Sequence, residues 1–323
     1  MKVRITHLDG KLPNLALMKL SAWHKSRGDE VHFWKTWQRD MFEPEYDRVY
    51  GSCIFGWTKP KRDRFKAEFP NAIIGGTGSG SNQTVEDVIG QGFEHYDYDI
   101  YPWFPSSIGF SQRGCRLKCS FCVVPKKEGG NRDQNRIEQI WRGGPHPRQI
   151  HLLDNDFFGA PSWEDRAKEI IDGDYKVCFS QGINIRLIHK EGAEYLNAMK
   201  YRDDQFRRSQ IYTAWDNGKD EKRFFKGLEI LTNAGIKVGQ VMVYMLVGYW
   251  PGETMDDIFY RFDKLVTAGV LPYPMVYDNN NKELKRFQRW VLRRYYKFIP
   301  FKDYNANARG SKTADPNQME MAI

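Results

Sequence analysis

The sequence predicts a two-part α/β protein: a small α/β unit over residues 1–100, then an incomplete (β/α) barrel over 101–281. Three observations carry this. Short β-branched or apolar runs alternate with helix-period stretches, the pattern of parallel sheets. Six such strand–helix repeats span about 170 residues of the second part, too few for a closed eightfold barrel. A cluster of three cysteines follows the first strand of that part, where a barrel places its chemistry.

In the first part, VRITHL (3–8) reads as a strand. Pro13 then opens a helical stretch in which Leu17, Leu20 and Trp23 recur at helical spacing, and Gly28 is placed to stop it. Glu30–Trp34, Arg48–Phe55 and 71–76 read as three more strands. GTGSGSNQ (76–83) reads as a flexible loop and 91–107 as a linker. In the second part the expected strands are Ile108–Ser111, Gln149–Leu153, Lys176–Ser180, Gln210–Ala214, Lys237–Leu246 and Pro274–Tyr277. The helices between them are Trp163–Ile171, Glu191–Lys200, Lys219–Ala234 and Thr254–Ala268. Residues 282–304 read as a basic C-terminal helix and 305–323 as a disordered tail.

Composition narrows the class. With 41% hydrophobic and 28% charged residues the chain reads as globular. No apolar run reaches the length of a membrane span, and the N-terminus lacks the pattern of a signal peptide. Five cysteines, three within eight residues, suggest metal rather than a disulfide scaffold, and hence a reducing, cytoplasmic location. The net charge of +8 favours anionic partners, nucleic acid or nucleotide above all. Two segments concentrate it. Residues 282–297 hold seven Lys or Arg against one Glu, and 59–66 hold five against Asp63. A helix over 282–297 would align Arg286, Arg289 and Arg293 on one face.

The most specific motif is Cys115-x-x-x-Cys119-x-x-Cys122, within IGFSQRGCRLKCSFCVVPKKEGG (108–130). Thiolates are the usual ligands of iron–sulfur clusters, and a cubane needs four. Three local cysteines leave one iron open for a substrate. Structural zinc also wants four ligands, typically from paired knuckles, and no second knuckle is nearby.

At this loop the sequence resembles the radical SAM superfamily, over about residues 106–280. The resemblance implies a partial (β/α)6 TIM-like barrel, a 4Fe–4S cluster on the three cysteines, and S-adenosylmethionine on the open iron. One electron from the cluster would break the S–C5′ bond and release a 5′-deoxyadenosyl radical. It also implies a reductant protein such as flavodoxin or ferredoxin. Carried over position by position, it puts Phe121 near the adenine, and Asp154, Asn155 and Asp156 of HLLDNDFFG near the methionine amino group. Gln181, Asn184 and Arg186 become candidates for the carboxylate and ribose, and Asp216 for the ribose hydroxyls. Gly248 and Glu253 of VGYWPGET, with Tyr277, would flank the adenine. The usual glycines before the acidic motif are missing. The first part resembles the Rossmann-like domain that precedes the barrel in cobalamin-binding members. His7 and Gly10 match their motif, but its aspartate is absent, which argues against bound cobalamin. The chain also resembles small bacterial and phage radical SAM proteins without an assigned substrate. Two readings from other classes stand beside this: a non-catalytic iron–sulfur protein for electron transfer or redox sensing, and a nucleic-acid-binding module with a structural metal.

Overall fold

The computed structural model of the chain describes residues 1–306, so the expected tail lies, from residue 307, outside the described residues. The protein is mixed α/β with parallel sheets and divides into two compact units, Met1–Ile108 and Gly109 onward.

Unit 1 runs β1 (Lys2–His7), α1 (Leu15–Ser26), β2 (Glu30–Trp34), β3 (Arg48–Ser52), α2 (Lys59–Glu68), β4 (Ile73–Gly75) and the short α3 (Glu86–Ile89). Its sheet has the order β2-β1-β3-β4, all parallel, with Val3 opposite both Val31 and Arg48. The central strand β1 is buried from Val3 to His7, as a strand covered on both faces must be. Three sequence expectations shift here. α1 is opened by Asn14, not Pro13: the Asn14 side chain accepts the Leu17 N–H at 3.2 Å, a regular N-cap. β3 stops at Ser52 instead of Phe55, because the Asp9 carboxylate takes the Ile54 and Phe55 N–H groups at 2.8 and 2.9 Å and draws the chain out of the ladder. The second half of the expected linker 91–107 packs into unit 1, with Ile100, Tyr101 and Phe104 buried. Tyr101 is fully buried, with its hydroxyl 3.1 Å from His7 Nδ1 and its ring packed on Phe33.

The strand β5 (Ser107–Gly109) ends where unit 2 begins. Then follow β6 (Gln112–Arg113), α4 (Val124–Lys127), β7 (Arg132–Asp133), α5 (Ile137–Ile140), β8 (Gln149–Leu152), α6 (Trp163–Asp172), β9 (Lys176–Phe179), α7 (Lys190–Ala198) and β10 (Lys200–Tyr201). The remainder is β11 (Ile211–Ala214), α8 (Glu221–Asn233), β12 (Val241–Val247), α9 (Met255–Thr267), β13 (Leu271–Val276) and α10 (Lys282–Leu292). One parallel sheet has the order β10-β9-β8, and the Leu153 N–H donating to Gly109 O adds the end of β5 beside β8. A second parallel sheet has the order β11-β12-β13. Val241, Val243, Met245 and Val247 alternate along β12 into one core. Phe224, Leu228 and Leu231 of α8 and Ile258, Phe262 and Leu265 of α9 enter the same core at helical spacing. Among the described residues no helix is long and apolar enough to cross a membrane.

Several element ends move, each for a local reason. The expected strand start at Lys237 gives way to a 3-10 turn, Val238–Gln240, so β12 begins at Val241. The helix expected to reach Lys200 ends at Ala198, because Lys200 and Tyr201 pair with Lys176 and Val177. β13 begins at Leu271 and contains Pro272 and Pro274, tolerated because it is an edge strand. Thr254 caps α9 in a reciprocal box with Asp257 and is not its first helical residue. Two cations of α10 are taken up by the chain's own backbone, while Lys282 and Lys285 of the helix and Arg293 after it are exposed. Arg286 donates to Tyr304 O at 2.9 Å and to Phe301 O at 2.5 Å, and Arg289 donates to Ala306 O at 3.0 Å. These two guanidiniums fasten the returning C-terminal segment onto the helix.

Candidate functional site

The cysteine loop grows from the end of β5 and is closed at its base by the antiparallel pair β6–β7, with Gln112 opposite Asp133 and Arg113 opposite Arg132. A single stretch after β8 fastens this base. Asp154, fully buried, accepts the backbone N–H groups of Ser111 (2.8 Å) and Gln112 (3.2 Å) and the Ser111 hydroxyl. Asn155 donates to Glu128 Oε2 at 3.1 Å, and the same oxygen takes the Gly114 N–H at 3.1 Å and faces Arg113 Nε. Asp156, also fully buried, accepts Arg116 Nε at 2.7 Å, Arg116 Nη2 at 3.0 Å and Asn131 Nδ2 at 3.0 Å. The three residues expected near a methionine amino group are therefore bonded to the stem of the cysteine loop. Burial pushes the Asp154 carboxyl up to about 7, against the pull of its three donors.

Gly114 lies in the left-handed region, φ +81°, and a Cβ there would fall 2.1 Å from Gly130 O. Both effects disfavour any side chain. Gly114→Ala is expected to destabilise unit 2 by about 2 kcal/mol or more. This is read as a lower urea midpoint. An unchanged midpoint would show that the loop base is not closed as described.

Cys115, Cys119 and Cys122 are free, half-buried thiols. Cys119 O accepts the Cys122 N–H at 3.0 Å, and the Leu117 N–H approaches Cys115 Sγ at 3.4 Å. Burial raises the thiol pKa values of Cys115 and Cys122, and the neighbouring cysteines raise both further. Among the described residues no three His, Cys, Asp or Glu side chains converge in a preformed metal-binding arrangement. The donor chemistry nonetheless fits an iron–sulfur cluster. It offers three thiols on one loop with backbone N–H and guanidinium donors aimed at two of the sulfurs, while metal binding itself draws ligands together.

Beside Cys119 opens a cavity of about 320 Å³. Its walls include Cys119, Phe121, Arg186, Asp216, Asp220 and Trp250. Arg186 bridges them: Nη2 lies 3.6 Å from Cys119 Sγ and Nη1 2.6 Å from Asp220 Oδ2. Burial works against its charge, but these two partners outweigh it and raise its pKa. Asp216 accepts the Leu246 N–H at 2.9 Å, and burial raises its carboxyl pKa. Trp250 donates to Asp216 O at 2.7 Å. Phe121, Tyr249 and Trp250 meet edge to face, with Phe121 5.6 and 6.2 Å from the other two, and Tyr277 packs on Tyr249 at 4.9 Å.

The remaining expected residues lie differently. Gln181 is exposed, Asn184 precedes a 3-10 turn, and neither is part of the cavity wall. Glu253 accepts the Gly248 N–H at 2.6 Å and pairs with buried Arg261 at 2.5 Å, so it closes the 248–253 turn. The space beside Gly248 is taken by Leu284, 2.4 Å from where a Cβ would stand. Sequence reasoning missed Glu128, Asp220 and Trp250. The signal for Trp250 was its place directly after Gly248 and Tyr249, and for Glu128 its place at the end of CVVPKKEGG. Asp220 carried no local signal.

Compared with protein-family models, curated proteins and solved structures, the chain matches none.

Proposed function

We propose that this chain is a radical SAM enzyme, with unit 2 a partial (β/α)6 TIM-like barrel and unit 1 a Rossmann-like companion. The carrying observation is the adjacency of a three-thiol loop and a cavity whose walls hold two cations, Lys118 and Arg186, two carboxylates and two aromatic rings. A 4Fe–4S cluster held by Cys115, Cys119 and Cys122 would supply the electron that cleaves the sulfonium of S-adenosylmethionine.

This chain's own residues have separable tasks. Arg186 suits a carboxylate, since its planar fork binds two oxygens, and it would exchange Asp220 for the substrate's carboxylate. Asp216 and Asp220 suit hydroxyl or ammonium donors. Phe121 and Trp250 offer flat faces for a nucleobase and exclude water from the sulfonium end. Asp154, Asn155, Asp156 and Glu128 position the loop without touching substrate. A reducing compartment such as the cytoplasm, and a flavodoxin- or ferredoxin-like donor, follow from the same reading.

Anaerobic reconstitution of the full chain with iron and sulfide tests it. We expect close to four irons per chain, an EPR signal on reduction that changes when S-adenosylmethionine is added, and formation of 5′-deoxyadenosine. Iron uptake with no spectral response to S-adenosylmethionine would favour an electron-transfer or redox-sensing protein. Preferential zinc retention would favour a structural metal.

A further inference from the structure

We propose that unit 1 binds single-stranded nucleic acid through a stacked aromatic pair, Phe55 and Trp57, flanked by the cations of α2. The rings of Phe55 and Trp57 are parallel within 10°, with centroids 4.3 Å apart. Both are exposed, Trp57 at 65%. Stacked on each other and left outside the unit's buried core, the two rings form a contiguous exposed apolar patch, the kind of surface that marks a binding site.

The pair is rigidly mounted. Asp9 holds the Ile54 and Phe55 N–H groups, Phe55 O accepts the Thr58 N–H at 3.0 Å, and Cys53 O accepts the Gly78 N–H at 2.9 Å. Gly78 presses so closely on the Phe55 backbone that a Cβ would stand 2.4 Å from its carbonyl. The glycine-rich loop 76–80 therefore serves as a backstop for the aromatic platform. Its location is also apt. In the order β2-β1-β3-β4 the connections diverge between β1 and β3, and ligands of open parallel sheets favour the strand ends at such a point. Phe55 and Trp57 follow β3 directly at that end.

Charge selects the occupant. α2 and its first residue carry Lys59, Lys61, Arg62, Arg64 and Lys66 against Asp63 and Glu68. Arg62 pairs with Asp63, while Lys59 and Lys61 are exposed and carry none of the ion pairs found among the described residues. Arg64 lies over the Trp37 ring at 5.6 Å, which leaves its charge uncancelled. An anionic polymer with flat, accessible faces satisfies both the cations and the stack. A duplex hides its base faces, and an acidic peptide has none.

The test is fluorescence anisotropy of the full chain with labelled oligo(U) and oligo(dT) of about twelve nucleotides, which also separates RNA from DNA. Trp57→Ala is expected to weaken binding at least about tenfold, within the range of one lost base stack, and Trp57→Phe to restore most of it. Lys59→Ala with Lys61→Ala is expected to lower the logarithmic salt slope by about 1.4, close to 0.7 per phosphate contact. Retained thermal melting checks that the variants fold, as substitution of exposed side chains should allow. No binding, equal binding by Trp57→Ala, preference for duplex, or full competition by polyglutamate would each overturn the proposal. The Cys119→Ser protein is expected to keep its oligonucleotide affinity, so this surface and the cluster reading fail or stand separately.

Discussion

Cys119→Ser is expected to bring reconstituted iron to background and S-adenosylmethionine cleavage below about one hundredth of the parent rate, with little change in unfolding midpoint. The scale follows from comparison: losing a residue that merely orients a metal ligand costs about 10–100-fold in affinity or activity, so losing the ligand itself costs more. Serine preserves shape, and Cys119 is half-buried in a loop rather than packed in a core, so the fold should tolerate it. Cys115→Ser and Cys122→Ser should behave alike, whereas Cys53→Ser and Cys178→Ser should keep full iron. Cys178 is fully buried, beside the Ser180 hydroxyl at 3.6 Å. Cys53 is fully buried behind Asp9. If Cys119→Ser retained parental iron and cleavage, the loop would not be the metal centre and the enzyme assignment would fall. Because the thiols are not preassembled, alkylation before and after reconstitution gives a second readout: all three are expected to react in the apo chain and to be shielded afterwards.

The second large effect concerns pH. Asp154 titrates near 7 in the folded chain against 3.8 unfolded, so the folded state binds the extra proton between those values. A carboxyl raised in this sense contributes stability fully present below its unfolded pKa and lost as pH climbs through its folded one. At about 1.4 kcal/mol per pH unit, with the slope fading above the folded pKa, the parent should lose about 2.5 kcal/mol between about pH 5 and pH 7.5 from this group. Asp154→Asn removes the titration and keeps the contacts. Its oxygen still accepts the Ser111 and Gln112 N–H groups, and its amide can donate to the Ser111 hydroxyl. The gap between variant and parent should therefore widen in the variant's favour across that interval, read by urea unfolding at several pH values. Asp154→Ala strands two backbone donors and is expected to cost about 3 kcal/mol throughout. Parallel pH profiles for parent and Asp154→Asn would show that this carboxyl ionises normally in the folded chain.

How much of the site could be read in advance differs by residue. The cysteine spacing is a local property, because ligands three and four positions apart need only one loop, so the sequence carries it whole. Phe121, just before Cys122, and Arg186 and Asp216, after expected strands, were singled out by the family resemblance, and they line a single cavity with Cys119. Asp154 and Asp156 illustrate the limit. A carboxylate after a strand can face a ligand or a neighbouring loop, and the offset is the same in both cases. Their partners, Ser111 and Arg116, lie about 40 residues away and become visible only when β5 and β8 come together. Glu253 repeats the lesson with Arg261 on the next helix.

Charge shows the same division from the other side. In the stretch 282–297, Arg286 and Arg289 spend their donors on backbone carbonyls of residues 301–306, while Lys282, Arg293, Arg294 and Lys297 stay exposed. The shorter stretch 59–66 keeps exposed lysines beside an open aromatic stack.

By itself the sequence determined the alternation of strands and helices, the parallel character of the sheets and the position of the thiol loop. Those follow from hydrophobic period, turn residues and local spacing, which act over a few residues at a time. Tertiary structure alone decided which carboxylates fasten the loop, which arginine reaches the sulfur, which cations remain free and where β3 leaves its sheet. Each of those outcomes depends on donors and acceptors far apart in the chain, and a buried polar group takes whichever partner the fold brings within bonding distance.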